Sequence, residues 1–168
     1  MALIIEDGTI VPNAQSYIDL AFTDSYWEQR GDPEQWTCLN PEEQEAAILY
    51  ATQYVEKRYR FRGQIQDRNQ VLAFPRTPFC DREGRALAGE GVIPEPVKQA
   101  VAELALRQAI EDLFLDTDPS AKTIIRKKVE DAEEELDSTR DTTRFKYIDM
   151  LLMDYLSGDD SCINMVRG

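Results

Sequence analysis

Apolar residues recur along this chain at helical spacing in four places, and Gly, Pro and Asx residues punctuate them. After Ser16, Tyr17, Leu20 and Trp27 share a stripe, with Asp24 the polar interruption and Gly31 a stop. Ser16 followed by Asp19 resembles a capping pair, so the pattern predicts a first helix over 16–29. Asn40-Pro41-Glu42-Glu43 is a stronger start. Asn caps, Pro takes the first helical position, and the acids meet the positive end of the dipole. Ala47, Ile48, Ala51, Tyr54, Val55 and Arg58 follow at i, i+3, i+4, i+7 spacing, which predicts a second helix over 41–60. Pro94-Glu95-Pro96 opens a third, over 95–115. Its apolar positions run from Val97 to Phe114 and cover more than one face, as in a helix central to its domain. A fourth, over 142–156, sets Phe145, Ile148, Leu151, Leu152, Tyr155 and Leu156 on one side, and Ser157-Gly158 ends it.

The segments between are of three kinds. Leu3-Ile4-Ile5 and Glu6-Asp7-Gly8 read as a brief extended arm and a turn. Gly63, Pro75, Pro78, Gly84, Gly89 and Gly91 make 63–94 a long irregular loop, with Phe74, Phe79 and Leu87 available to pin it. Thr123-Ile124-Ile125 and Val129 have β character, but the acid-dense Glu130 to Glu135 leaves 120–138 open between an extended loop and a short β-hairpin. The expectation is a mainly α fold, a small bundle of about four helices with a long irregular loop, in a single domain over 1–168. Within it lie an arm at 1–12, a helical core at 16–115, the extended or hairpin segment at 120–138, and a C-terminal helix and tail at 142–168.

Composition narrows the picture. At 168 residues and 42% apolar, the chain is long enough for one core. No stretch approaches the roughly 20 apolar residues that span a bilayer. Glu6 and Asp7 stand where a secretory signal would be basic, so a protein kept in the cytosol is expected. Cys38, Cys80 and Cys162 lie far apart and form no C-x-x-C pair, which points to reduced thiols. The net charge of −13 is segregated. Residues 1–53 hold ten acids and one base, 54–85 eight bases against four acids, and 130–160 eleven acids and three bases. Such a body repels phosphates but suits complementary contacts between neighbouring subunits.

Catalytic chemistry finds little support. There is no histidine, which removes Ser-His and Cys-His pairs and the usual general base near neutral pH. Glu133-Glu134-Glu135 sits in polar surroundings, with nothing to raise a carboxyl pKa. No phosphate-cradling glycine motif occurs. Asp116-x-Asp118-x-Ser120 starts like a calcium loop, but Lys127 stands where the closing Glu belongs. No enzyme activity, cofactor or metal is expected. The most informative stretch is Tyr54 to Arg76, which interleaves Tyr54, Tyr59, Phe61 and Phe74 with Lys57, Arg58, Arg60, Arg62, Arg68 and Arg76. Three readings stand side by side: a surface that stacks bases and holds phosphates, a protein interface rich in Arg and aromatic residues, or a helix end whose aromatics are core and whose arginines snorkel.

The order of motifs adds a resemblance. Glu6-Asp7-Gly8 and Val11 to Tyr17 come first, then Tyr54 to Gly63, Gln70 to Arg76 and Asp81-Arg82-Glu83-Gly84. Val92-Ile93-Pro94, Val97 to Ala100, Glu103 to Leu106 and Arg126 to Val129 follow, ahead of the last amphipathic helix. This order resembles the family labelled DnaT-like single-stranded-DNA-binding proteins, encoded among phage head genes. It is similar in layout to the head–tail adaptors (connector or head-completion proteins) of tailed phages. Two positions depart from the family pattern: Phe74 stands where Trp is usual, and Glu130-Asp131-Ala132-Glu133 replaces a glycine and an alternating strand.

The resemblance implies a virion protein of the neck, assembled in the host cytoplasm, that forms a ring with copies of itself, usually twelve. The ring would sit beneath the portal protein, extend the DNA channel and meet a downstream neck or tail-completion protein. Double-stranded DNA would pass without specific binding, and no membrane would be involved. The C-terminal segment from about Thr142 would dock on the portal. Interface candidates are then Lys57, Arg58, Tyr59, Arg60, Arg62, Arg68, Phe74, Arg76, Phe145 and Tyr155. The other expectation, from the family label, is a single-stranded DNA-binding module using the Tyr54–Arg76 face.

Overall fold

A computed structural model of the chain describes residues 3–77, 89, 91–114, 126–129, 132–135 and 145–157. It is mainly α. Helices α1 (Leu20–Glu28), α2 (Glu34–Thr37) and α3 (Pro41–Arg58) come first. Strands β1 (Gln64–Ile65) and β2 (Arg76–Thr77) and helix α4 (Glu95–Ile110) follow. Strands β3 (Arg126–Val129) and β4 (Ala132–Glu135) precede α5 (Lys146–Leu152), and a single 3₁₀ turn over Met153–Tyr155 runs on from α5. Among the described residues no helix is long and apolar enough to cross a membrane.

The pattern places α3 and α4 well. At the start of α3 the Asn40 side chain accepts from the Glu43 amide at 3.0 Å. The Glu43 carboxylate accepts from the Asn40 amide at 3.0 Å. Two orphan donors of the first turn are thereby satisfied. Tyr59 turns extended and ends the helix directly after Lys57 and Arg58, which meet its negative pole. The main packing contact is α3 on α4, and α1, α2 and α5 also lie against α4. Val97, Ala100, Val101, Ala102, Leu104 and Ala105 are fully buried, so α4 is the central helix that its wide apolar arc predicts. Burying each larger aliphatic side chain there contributes about 1.5–3 kcal/mol. Ile148 and Leu152 of α5 are equally buried.

Several expected boundaries move. The first helix begins at Leu20, with Asp19 as its cap accepting from the Phe22 amide at 2.8 Å. Ser16 does not cap a helix start. Its buried hydroxyl accepts from the Ile18 amide and from Thr52 on α3, each at 3.1 Å, and residue 16 bridges to Ile5 in parallel. The third helix ends at Ile110, since Glu111 turns extended and leaves Leu113 and Phe114 in a turn. The fourth spans Lys146–Leu152 as α-helix, and residues 142–144 lie outside the described residues. So do Phe79, Leu87, Cys80, Cys162, the Asp116 to Ser120 segment and the tail.

The segment expected at 120–138 contains an antiparallel hairpin, β3 on β4. Its register pairs Arg126 with Glu135, Lys127 with Glu134, Lys128 with Glu133 and Val129 with Ala132. In this register a run of three bases in the sequence is paired with a run of three acids. Ala132–Glu135, within the acid run that obscured the segment, is thus the partner strand of Arg126–Val129.

The arm is more than a turn. Glu6 is almost wholly buried. Its carboxylate accepts from the amides of Gly8 (2.9 Å), Ile10 (3.0 Å) and Val11 (2.9 Å). Hydrogen bonds to a charged acceptor contribute about 1.5–3 kcal/mol each, which offsets burial of the charge. They also hold Ile10 at φ 63°, a conformation that β-branched residues avoid. Gly8, at φ 102°, lies against Gly91, where a Cβ would overlap the Gly91 carbonyl oxygen. Gly31 has φ 99° but open space around it. Gly8→Ala should therefore lower stability by about 3 kcal/mol through strain and overlap together. Gly31→Ala should lower it by only about 1 kcal/mol through strain. Urea unfolding of the two variants checks the order; equal losses would refute the contact's importance.

Candidate functional site

The basic and aromatic stretch from Tyr54 to Arg76 begins on the last turn of α3 and ends on β2. Its aromatics point inward: Tyr54 is 9% exposed, Tyr59 and Phe61 7%, and Phe74 1%. Phe61 meets Phe74 edge-on with centroids 4.8 Å apart, and Tyr17 meets Phe74 at 6.1 Å. Tyr54 lies between Phe114 (5.7 Å) and Phe145 (5.9 Å). The Tyr59 hydroxyl donates to Asp149 on α5 at 2.8 Å, and burial followed by that carboxylate pushes its pKa up. Base stacking needs an open ring face, and these rings are covered by the fold.

Several of the cations are also engaged. The Arg76 guanidinium donates to four carbonyls: Arg62 (2.6 Å), Gly63 (2.7 Å), Phe61 (3.2 Å) and Ala73 (3.2 Å). Arg62 donates through Nε to the Leu156 carbonyl at 2.6 Å, and its amide donates to the Tyr155 carbonyl at 2.9 Å. Ser157 in turn donates to the Arg60 carbonyl at 2.8 Å, so the end of the described chain lies along residues 60–62 as an antiparallel bridge. Arg58 stands 5.9 Å over the Tyr59 ring. Lys57, Arg60 and Arg68 are exposed. Tyr155 is buried, and Phe145 is half-buried beneath Arg107, whose guanidinium lies 5.4 Å over the ring. Of the expected interface residues, the structure gathers Arg62, Phe74 and Arg76 into one internal joint and leaves Lys57, Arg60 and Arg68 outward.

That joint is organised by Glu56. The Tyr17 hydroxyl donates to one carboxylate oxygen, and the Ala73 amide donates to the other at 2.9 Å. The Phe74 amide donates to the Tyr17 oxygen at 3.1 Å. Burial pushes the Glu56 carboxyl above its ordinary 4.5, while the Tyr17 and Ala73 donors and the Arg76 charge act the other way. Burial, with Glu56 beside it, raises the Tyr17 pKa well above its ordinary value. One side chain thus ties the arm motif, the end of α3 and the loop motif together.

Sequence patterning overlooked an outward apolar surface. Tyr147 and Met150 on α5 and Met153 at the start of the 3₁₀ turn recur every three residues, away from buried Ile148 and Leu152, and Met150 is 67% exposed. Tyr50 on α3, Ile110 at the end of α4 and Phe114 are also exposed, with Tyr50 and Phe114 6.5 Å apart. The three-residue recurrence was a readable signal, eclipsed by the stronger stripe beside it. Near α1 and α2, an open cleft of about 430 Å³ is lined by Asp24, Glu28, Asp32, Trp36, Pro41 and Gln44 among others. There the Trp36 indole donates to Asp24 at 2.9 Å.

The family described as "Putative DnaT-like ssDNA binding protein" matches residues 1–168, and the chain belongs to that family. No curated protein and no solved structure matches it.

Two substitutions test the joint. Glu56→Ala leaves the Tyr17 hydroxyl and the Ala73 amide without their acceptor and should cost about 2–4 kcal/mol, whereas Glu56→Gln keeps an acceptor and should cost about 1 kcal/mol. The raised carboxyl pKa means that the native state holds a proton where the unfolded chain has lost it. Wild-type stability should then fall as pH rises from about 4.5 through the folded-state pKa. Glu56→Gln should remove that slope in urea titrations at several pH values. Arg76→Lys, with one ammonium in place of a fork, should lose about 1–3 kcal/mol despite keeping the charge. Calorimetry showing an unchanged midpoint would contradict it.

Proposed function

We propose that this member of the DnaT-like family is a structural assembly subunit, a head–tail adaptor of a tailed phage. It would form a ring beneath the portal, extend the DNA channel and receive the next neck or tail-completion protein. The observation that carries this reading is where the apolar surface lies. The rings of the basic stretch are inside the fold, while Tyr147, Met150, Met153, Tyr50 and Ile110 face outward. Exposed apolar surface of this kind marks protein contacts, and Met suits surfaces that repack on a partner. Segregated charge supports the same reading. The outward cations Lys57, Arg60 and Arg68 and the acid-lined cleft by α1 offer complementary patches to neighbouring copies. A net charge of −13 keeps a passing duplex from adhering to the remaining surface.

The second reading is a single-stranded DNA-binding module, and the family description favours it directly. With the aromatics covered, such binding would rest on phosphate contacts from Lys57, Arg60 and Arg68, so its affinity would fall steeply with salt.

One set of measurements separates the two. Tyr147→Glu with Met150→Glu should keep the helical circular-dichroism signal and reduce self-assembly, or capture by a portal protein, roughly tenfold, about 1.4 kcal/mol. Unimpaired assembly by that double variant counts against the adaptor reading. In a filter-binding assay at physiological ionic strength, a single-stranded oligonucleotide should bind at about micromolar affinity or weaker, in the range of non-specific binding. Much tighter, salt-sensitive binding that is lost on Lys57→Glu with Arg68→Glu would give the function to the second reading.

A further inference from the structure

We infer that the Arg68 loop of one copy docks in the cleft beside α1 and α2 of the next copy of this chain, a head-to-tail contact between opposite ends of α3. The inference rests on the assembly reading above and names one contact of the ring.

Two features stand at the two ends of one helix. Pro41 and Gln44, at the start of α3, line the cleft with Asp24, Glu28 and Asp32. At the other end the Ala73 amide donates to Glu56, and Arg76 donates to the carbonyls of residues 61–63. These bonds fasten the loop between β1 and β2 to the last turns of α3 and the residues after it. Gln44 and Glu56 are separated by about 18 Å of helix. Arg68 is exposed and does not line the cleft of its own copy.

The loop is organised by its own polar groups. The Gln70 side-chain oxygen accepts from the amides of Gln66 (2.9 Å) and Asp67 (3.1 Å). Its nitrogen donates to the carbonyls of Leu72 (2.7 Å) and Pro75 (3.1 Å). The Asp67 carboxylate accepts from the Asn69 amide at 2.7 Å. A loop already held in shape loses little freedom on binding. On this frame Arg68 is exposed, and so are the apolar Ile65 and Val71 beside it.

The cleft matches that set of side chains. Its volume of about 430 Å³ is that of a small-ligand pocket and holds a guanidinium with its stem. Exposed Glu28 and Asp32 offer carboxylate oxygens, which the planar fork of arginine takes two at a time. Leu39, Pro41 and Trp36 supply apolar lining for the arginine stem and for Val71. Charge also sets the direction of the contact. Glu42 and Glu43 flank the cleft end of α3, and Lys57 and Arg58 stand at the loop end. Loop against loop would oppose cations, and cleft against cleft would oppose carboxylates; only end against start pairs opposite charges. A contact between two different patches is heterologous, and such contacts close into rings when the rotation per copy permits.

Crosslinking tests the contact and leaves Arg68 and the cleft carboxylates in place. Native Cys38 is exposed between the cleft residues Thr37 and Leu39. One full-length chain keeps it and carries Cys80→Ser and Cys162→Ser. The other carries Cys38→Ser, Cys80→Ser, Cys162→Ser and Asn69→Cys. The two are mixed, assembled and treated with a short bis-maleimide, and intact mass identifies the crosslinked pairs. Pairs joining position 38 to position 69 should exceed both like pairs roughly tenfold, and Arg68→Glu in the second chain should remove that excess. In the otherwise native chain, Arg68→Glu should raise the protein concentration needed for assembly roughly tenfold, with circular dichroism unchanged. Assemblies without the excess, or indifferent to Arg68→Glu, would overturn this contact and leave the adaptor reading standing. Monomers of the native chain at every concentration and in the presence of portal would remove the contact and the adaptor reading together.

Discussion

The carboxylate of Glu56 stands where three separate stretches of chain have to meet, and much of the molecule's shape follows from satisfying it. A half-buried carboxylate is costly unless donors are brought to it. Here they are the Tyr17 hydroxyl from the stretch before α1 and the Ala73 amide from the loop. Bringing Tyr17 in fixes the arm, which Glu6 has already wound on itself through three backbone amides. Bringing Ala73 in sets Phe74 between Tyr17 and Phe61 and delivers Arg76 to the carbonyls of residues 61–63. The chain after α3 is thereby held rigid enough to receive residues 155–157 as a short bridge.

This joint changes what the basic and aromatic stretch can do. A guanidinium that donates to four carbonyls is a structural clamp, and a phenylalanine 1% exposed is part of the core. The exposed surface is of another kind: Tyr147 and Met150 of α5, Met153 just after it, the edge of α3 at Tyr50, and the cations Lys57, Arg60 and Arg68. Among the described residues, the rings of the basic stretch are covered while Tyr147, Met150 and Met153 are exposed, and this contrast is what supports the protein-contact reading proposed above. Membership of the DnaT-like family keeps single-stranded DNA in view as the competing partner.

Charge acts at two scales in this fold. Across the chain it alternates in blocks, acidic, basic and acidic. Within β3 and β4 it alternates between strands, cation facing acid at three consecutive positions.

Local patterning was enough to place α3 and α4. Asn40, Pro41 and Glu43 act on their own first turn, and the apolar arc of α4 reports a central position whatever surrounds it. It was also enough for the mainly α class, because helical periodicity is a short-range property. It could not tell Ser16 from a cap, because the hydroxyl is claimed by Thr52, thirty-six residues away. Nor could it settle Tyr54 to Arg76, since rings and arginines have the same composition whether they face solvent or core. Their direction is set by Glu56, Tyr17 and residues 155–157, partners distant in sequence. The hairpin at 126–135 was ambiguous for a related reason: neither strand has an apolar face to announce it, and its signal is complementarity between two runs, visible only once a register pairs them.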